Sequence, residues 1–167
     1  MLRQIYALVE ELTPRLLEIR RHLHSHPELS GQEYKTAAYV AGVLSSSGLR
    51  VQELVGKTGV IGELPGRNDP RILGIRADMD GLPLTERVDL DFASTQPGLM
   101  HACGHDVHTT VGVGTAMVLA KLPSPLPGVT RFLFQPAEET AQGARWMIEA
   151  GAMAGVSAML GLHAYPN

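Results

Sequence analysis

Short apolar segments alternate with segments of helical periodicity, and this alternation limits the folds open to the chain more than any other feature. The runs LRVQEL, GVIGELP and RILGIRA are rich in branched side chains and lie between turn residues. They predict strands near residues 49–54, 59–64 and 71–77. VTRFLFQ at 129–135 predicts a further strand, and the largely apolar VSAMLGLHA at 156–164 is typical of a buried parallel strand.

Four segments predict helices: the first two carry apolar residues on one face at three- and four-residue steps, the third has the small and apolar residues of a helix buried on most sides, and the fourth is closed by Gly151. They cover residues 4–25, 32–47, 106–122 and 141–150. Pro27 should end the first helix, and the second should follow an N-cap at Ser30 and stop at Gly48. Helices that alternate with strands predict an α/β sandwich, with functional side chains at the carboxyl ends of the strands.

The composition predicts one globular domain without a polyanionic partner. The chain has 167 residues, 44% of them hydrophobic, and a net charge of −3 without a block of like charges. We therefore expect it to bind neither nucleic acid nor an anionic membrane surface. No window approaches the roughly 18 apolar residues of a membrane span, and the N-terminal segment lacks the apolar core of a signal peptide, so we expect a cytoplasmic protein. The single cysteine, Cys103, can form no internal disulfide and should be reduced or coordinated.

Polar side chains follow three of the predicted strands, and two more lie where the long loop at 81–104 leads into the next helix. The set consists of Asp78 and Asp80 after RILGIRA, Glu138 and Glu139 after VTRFLFQPA, His163 after VSAMLGL, and Cys103 with His105 at the end of the loop. Neighbouring strand ends meet in one crevice of an α/β sheet. Thiol, imidazole and carboxylate groups from four separate segments are typical of a catalytic metal site.

Each of these signals also has an ordinary structural explanation. Cys103 alone would be a buried thiol, and a nucleophilic pair with His105 is a second alternative. Glu138 and Glu139 would be acids in the first turn of a helix, where they are favoured. His163 would be a hydrogen-bonded core histidine. For the further histidines at the end of the first helix, His22, His24 and His26, structural hydrogen bonding is preferred over metal binding, because their spacing puts them on different helix faces.

Five motifs, in order, carry a resemblance to a known family. They are RRHLHSHPELSGQE, GIRADMDGLPLTE, MHACGHDVHTT, LFQPAEETAQGARWMIEAGAM and LGLHAYP. Together they resemble the amidohydrolase branch of the aminoacylase and carboxypeptidase G-like metallopeptidase family. The resemblance implies a three-layer α/β sandwich of the zinc-exopeptidase type. It makes residues 1–167 the N-terminal half of the catalytic domain, without the inserted lid or dimerisation domain and without the C-terminal half.

The resemblance also implies roles for individual residues. By position in the motifs, the metal ligands are Cys103, His105, Glu139 and His163, the general base is Glu138, and Asp78 is a carboxylate that orients a ligand. Arg76 stands where more distant relatives have a histidine ligand. Such enzymes use two divalent ions, zinc or manganese; a thiolate favours zinc, whereas this branch often uses manganese.

The implied activity is metal-dependent hydrolysis of the amide bond of N-acyl amino acids, which releases a carboxylic acid and an amino acid. A homodimer of the full-length protein is compatible with it. Because family members are more than twice as long, we expect a truncated form with an incomplete site. Three hypotheses stay open: an amidohydrolase active in the complete protein, a metal-binding fragment without catalysis, and a thiol hydrolase that uses Cys103 and His105.

Overall fold

The computed structural model describes residues 1–54 and 57–164, which form four helices and five strands. Tyr165 and Pro166, the last residues of the LGLHAYP motif, lie outside the described residues. The helices are α1 (Leu2–Ser25), α2 (Tyr34–Ser46), α3 (His105–Ala120) and α4 (Gly143–Glu149), and the strands are β1 (Arg50–Glu53), β2 (Val60–Leu64), β3 (Ile72–Asp78), β4 (Val129–Gln135) and β5 (Val156–Gly161). Every predicted element is present. None of the described helices is long and apolar enough to cross a lipid bilayer.

The strands form one mixed sheet in the order β1-β2-β4-β3-β5. β2 is antiparallel to β1 and to β4, whereas β3 is parallel to both β4 and β5. In this register Asp78 lies opposite Gln135, and Arg76 lies opposite Gly161. The carboxyl ends of the three parallel strands therefore meet at one edge of the sheet, and the segments that carry the predicted site residues leave from that edge.

Helices cover both faces of the sheet, which confirms the α/β sandwich with three layers. α1, α2 and α3 bury the larger cluster, which contains Phe132 and Phe134, and α4 covers the smaller one around Leu133. Because successive side chains of a strand point to opposite faces, β4 contributes to both clusters. Phe132 and Phe134 are at most 1% exposed. Each contributes about 1.5–3 kcal/mol through burial, so the sheet that carries the site is well anchored.

Helix α3 is the central element of the larger layer. It follows Gly104, which has a left-handed φ of 80°, and begins at His105, one residue before the predicted start. A Cβ on Gly112 would lie 3.0 Å from the ring of Phe134, so this glycine lets the helix approach the sheet closely. The helix therefore brings His105 directly against the ends of the parallel strands.

Two details of the sequence prediction are wrong. Ser30 does not cap α2, because its hydroxyl donates to Asp80 at 2.6 Å. The carboxylate of Glu28 instead accepts the first-turn backbone N–H groups of Lys35 at 3.2 Å and Thr36 at 2.8 Å. β5 is parallel, as predicted, but it is not buried: Met159 is 41% and Leu160 57% exposed. Among the described strands it pairs with β3 alone, so it is an edge strand. An apolar sequence shows what a strand can bury, not whether a neighbour covers it.

The loop at 81–104 is ordered and packs against the end of α1. Glu86 accepts a hydrogen bond from His24 at 2.9 Å, and the other ring nitrogen of His24 contacts Asp106 at 2.8 Å. His26 contacts the carbonyl of His22 through Nδ1 at 2.8 Å. The prediction that His24 and His26 make structural hydrogen bonds is therefore confirmed.

Candidate metal centre

Asp78 ends β3 with a fully buried carboxylate. Its Oδ1 accepts a hydrogen bond from Nδ1 of His108 at 2.6 Å, and its Oδ2 accepts one from Arg76 at 2.5 Å. The backbone carbonyl of Asp78 accepts a further bond from the Thr109 hydroxyl at 2.7 Å. The carboxylate is therefore fully paired and held in one position, 3.7 Å from Nε2 of His105.

His105 lies in the first turn of α3 with its ring completely buried. Nδ1 is 2.9 Å from the backbone carbonyl of Asp80 and 3.1 Å from the Asp80 carboxylate. A carbonyl only accepts, so Nδ1 carries a proton, and in the neutral ring the lone pair lies on Nε2. Nε2 has no hydrogen-bond partner within the described part of the chain. Histidines that bind metal ions usually have this arrangement: one ring nitrogen donates a hydrogen bond to an oxygen of the protein, and the other is available to the metal.

The charges around His105 are predominantly negative. Burial on its own would lower the pKa of His105, but the hydrogen bond to Asp80 and the charges of Asp78, Asp80 and Glu139 outweigh it and raise the pKa. For Asp80, burial on its own would raise the pKa, because it disfavours the charged carboxylate. Hydrogen bonds from His105, Ser30 and the backbone of Glu139 reverse this and lower it to about 2. Asp80 is therefore an ionised partner that orients His105.

Glu138 and Glu139 lie in the turn between β4 and α4, beside the unused nitrogen of His105. One carboxylate oxygen of each lies 3.8 Å from His105 Nε2. The Glu138 side chain is 38% exposed and that of Glu139 is 23% exposed, so Glu138 has the better access to solvent. The backbone N–H of Glu139 donates to Asp80 at 3.0 Å, which fixes this turn to the end of β3.

Cys103 and His163 lie next to each other and complete the group. Sγ of Cys103 lies 3.5 Å from Nε2 of His163. The N–H of Ala164 donates to Nε2 of His108 at 2.7 Å, which ties the segment after β5 to α3. The pKa of Cys103 is raised to about 11 by burial first, and then by the nearby carboxylates, led by Glu139. The environment of Cys103 is negatively charged, which disfavours a thiolate without a bound cation and favours the binding of a cation.

The structure thus brings the predicted site residues together. Three sets of residues have ligand atoms within 4.8 Å of one another. They are Cys103 with His105 and His163, Asp78 with His105 and His108, and His105 with Glu138 and Glu139. His105 belongs to all three. Thiol, imidazole and carboxylate donors suit zinc and related divalent ions. The buried, unpartnered Nε2 at their centre fits a metal site as well.

Two residues of this centre have no individual role in the sequence prediction, although Asp80 belongs to its polar set. His108 holds Asp78 through one ring nitrogen and the Ala164 N–H through the other. Its spacing from His105, three residues along a helix, was the available signal, because such pairs share a helix face. Asp80 orients His105, but only the fold shows that its carboxylate, rather than that of Asp78, makes this hydrogen bond.

The sequence and the fold both match a known peptidase family. The profile of peptidase family M20/M25/M40 matches residues 74–167, which is more than half of the chain. The chain therefore belongs to peptidase family M20/M25/M40.

Similar proteins include enzymes and a solved structure. A probable hydrolase of Synechocystis sp. is 68% identical over 161 residues, which cover 96% of this chain and 41% of that protein. An N-acyl-L-amino acid amidohydrolase of Geobacillus stearothermophilus is 47% identical, over 96% of this chain and 44% of that protein. The YXEP protein of Bacillus subtilis, a dinuclear metal binding peptidase from the M20 family, aligns with a TM-score of 0.90 and 47% identity, over 95% of this chain and 44% of that one. The chain thus spans about two fifths of the length of these relatives.

Proposed function

We propose that the protein carrying residues 1–167 is a metal-dependent amidohydrolase that cleaves N-acyl amino acids into a carboxylic acid and an amino acid. The observation that carries this proposal is the imidazole of His105, which Asp80 orients so that the unused Nε2 faces Glu138 and Glu139 at 3.8 Å. The N-acyl-L-amino acid amidohydrolase among the similar proteins supports the substrate class.

The proposed ligands are Cys103, His105, Glu139 and His163, and the proposed cofactor is a pair of divalent ions. The dinuclear centre of the similar Bacillus subtilis peptidase supports two ions. The thiol favours zinc over manganese, since soft ligands prefer zinc. When bound, such ions polarise a carbonyl group and acidify a water molecule. A thiol ligand must stay reduced, which fits the cytoplasm as the proposed compartment.

Glu138 is the proposed general base. Its carboxylate is near His105 and open to solvent, so it can accept a proton from water as the amide carbonyl is attacked. The same carboxyl group then returns that proton to the nitrogen of the leaving amino acid. The side chain of Glu139 is the less exposed of the two, and its backbone N–H donates to Asp80, as suits a fixed ligand.

Asp78 is proposed to position the ligand His163 indirectly, through His108. Its carboxylate holds the ring of His108, and that ring accepts the N–H of Ala164, the residue after His163. Asp78 and His108 together therefore position the backbone that carries His163. Arg76, which donates to both Asp78 and Gln135, restrains the same carboxylate from the opposite side.

We propose further that residues 1–167 form the N-terminal part of the catalytic domain, because the relatives they match are more than twice as long. Activity is therefore proposed for the protein that carries this segment.

Replacing Glu138 tests the proposal. Glu138→Gln should bind metal as the wild type does, because Glu138 is not a proposed ligand, and should lose about 10²–10⁴-fold in turnover of N-acetyl and N-benzoyl amino acids. Glu149→Gln, on the exposed side of α4, is the matched control and should behave as wild type. Metal content and initial rates are measured on the same samples, with and without chelator. Near-normal turnover in Glu138→Gln would contradict the assignment.

The same assay separates the remaining alternatives. A metal-binding protein without catalysis would bind ions and turn over no substrate in any variant. A thiol hydrolase would keep its activity in chelator and lose it on alkylation. The partner of Cys103 at 3.5 Å is His163 rather than His105, and the raised pKa of the thiol opposes the thiolate that such an enzyme needs.

A further inference from the structure

Glu33, the residue before α2, has a fully buried side chain and no part in the proposed ligand set. Its Oε1 accepts the backbone N–H groups of Gly31 at 2.9 Å and Ala137 at 2.8 Å. Its Oε2 accepts the hydroxyl of Thr58 at 2.5 Å. One carboxyl group thus joins three segments that are far apart in sequence, and one of them runs directly into Glu138.

Ala137 adopts a backbone conformation that is energetically unfavourable for a residue with a side chain. Its φ is +48°, in the left-handed region, which costs a residue with a Cβ about 1–2 kcal/mol. Its carbonyl accepts the N–H groups of Gln142 at 3.2 Å and Gly143 at 3.1 Å, which closes the turn. The N–H of Ala137 is buried and also needs a hydrogen-bond partner, and Glu33 supplies the acceptor.

The opposite end of the acidic pair has its own anchor. The N–H of Glu139 donates to Asp80 at 3.0 Å. Glu138 and Glu139 consequently follow one backbone N–H fixed by Glu33, and the second of them has its own N–H fixed by Asp80. A shift of either anchor would move both carboxylates relative to His105.

We propose that Glu33 is a positioning residue that fixes the Ala137 turn and thereby sets Glu138 and Glu139 beside His105. What the two acids do there rests on the function proposed above. The positioning itself rests only on the hydrogen bonds of Glu33 and on the left-handed Ala137.

Three substitutions separate this role from general stability. Glu33→Met fills the volume of the side chain but removes the acceptor. Glu33→Gln keeps an oxygen that accepts both N–H groups. Thr58→Val removes only the hydroxyl bond, so it also disturbs buried Glu33 but leaves Ala137 held. Glu33→Asp, whose carboxyl group is one carbon too short to reach Ala137, replaces the Met variant if that variant does not fold.

The readouts are amide hydrogen exchange at Ala137 and Glu139, Zn²⁺ affinity by calorimetry, and kcat with KM. In Glu33→Met we expect faster exchange at Ala137 and about 10- to 100-fold weaker Zn²⁺ binding. Any hydrolysis should fall in kcat rather than rise in KM. Glu33→Gln should match wild type, and Thr58→Val should match it in Ala137 exchange and Zn²⁺ affinity even if it lowers the melting temperature.

A rescue variant tests the backbone argument directly. Glycine adopts a positive φ without the cost of a Cβ. Ala137→Gly in the Glu33→Met background should therefore recover part of the lost Zn²⁺ affinity, which a loss of core packing at Glu33 would not predict.

Unchanged Ala137 exchange and Zn²⁺ affinity in Glu33→Met would overturn the proposal, as would an equal loss in Thr58→Val. Failure of the proposed function looks different, because the exchange and affinity effects would then appear in a protein whose wild type hydrolyses no N-acyl amino acid.

Discussion

At the scale of single residues, the centre depends on one imidazole. His105 Nε2 lies 3.7 Å from Asp78, and 3.8 Å from both Glu138 and Glu139. Like charges so close repel one another, so the acidic side chains are arranged at a cost that a cation would offset. The side chains that face the unused nitrogen are mainly carboxylates, and this is the strongest residue-level argument for metal binding.

His101, in the same loop as Cys103, makes a pH effect on stability predictable. It is 5% exposed, and neither ring nitrogen has a partner among the described residues. Burial lowers its pKa from 6.5 to about 4. In the unfolded chain His101 is protonated below about pH 6.5, whereas in the folded chain it is protonated only below about pH 4. The free energy of unfolding therefore falls as the pH falls through this window.

We predict that His101→Phe removes this loss. Between pH 6.5 and 4, the free energy of unfolding of the wild type should fall by up to about 3 kcal/mol more than that of the variant. Urea unfolding in the presence of chelator measures the difference, and His26→Phe, at an exposed histidine, is the control. Parallel pH profiles for wild type and His101→Phe would show that His101 is not held neutral by burial.

At the scale of elements, the start of α4 fixes the turn with the two glutamates. A Cβ on Gly143 would lie 1.5 Å from the carbonyl oxygen of Pro136, so this position accepts only glycine without a backbone shift. Gly143→Ala should lower the free energy of unfolding by about 1–3 kcal/mol and weaken Zn²⁺ binding, because the turn moves.

Gly42→Ala is the matched control for this prediction. Gly42 lies inside α2 with nothing within 4 Å of a Cβ. Alanine should therefore raise the free energy of unfolding by about 0.5–1 kcal/mol and leave metal binding unchanged. Chemical denaturation of both variants provides the comparison, and equal effects would mean that the close approach at Gly143 is not rigid.

The sequence predicts elements better than it predicts their neighbours. The periodicity of α1 and the branched residues of β3 depend on local preference and burial, so both elements are found within two residues of their predicted limits. The predictions for Ser30 and β5 are wrong because the role of Ser30 and the burial of β5 depend on residues distant in sequence. Ser30 donates to Asp80, fifty positions away, and β5 has one described neighbour in the sheet. The motifs predict which residues gather, whereas the partner of each, such as Asp80 for His105, depends on atomic distances.

At the scale of the whole molecule, metal binding should stabilise the fold, because the proposed ligands come from the start of α3 and from the segments that follow β4 and β5, and they meet only when the sheet is formed. At a free Zn²⁺ concentration of 100 times Kd, the gain is about 2.7 kcal/mol. For a chain of this size we expect the melting temperature to rise by about 5–10 °C. Chelator should reverse the rise, and Cys103→Ser should reduce it. Calorimetry provides the measurement, and a melting temperature independent of Zn²⁺ would contradict a site shared between these elements.

The most direct test of the metal centre is anomalous diffraction from crystals grown with Zn²⁺. We predict an anomalous peak at bonding distance, about 2.0–2.3 Å, from both His105 Nε2 and Cys103 Sγ, with Glu139 and His163 beside it. Crystals of Cys103→Ser should show a weaker peak at the same place. Zinc bound only elsewhere on the protein, with His105 Nε2 and Cys103 Sγ uncoordinated, would contradict the account.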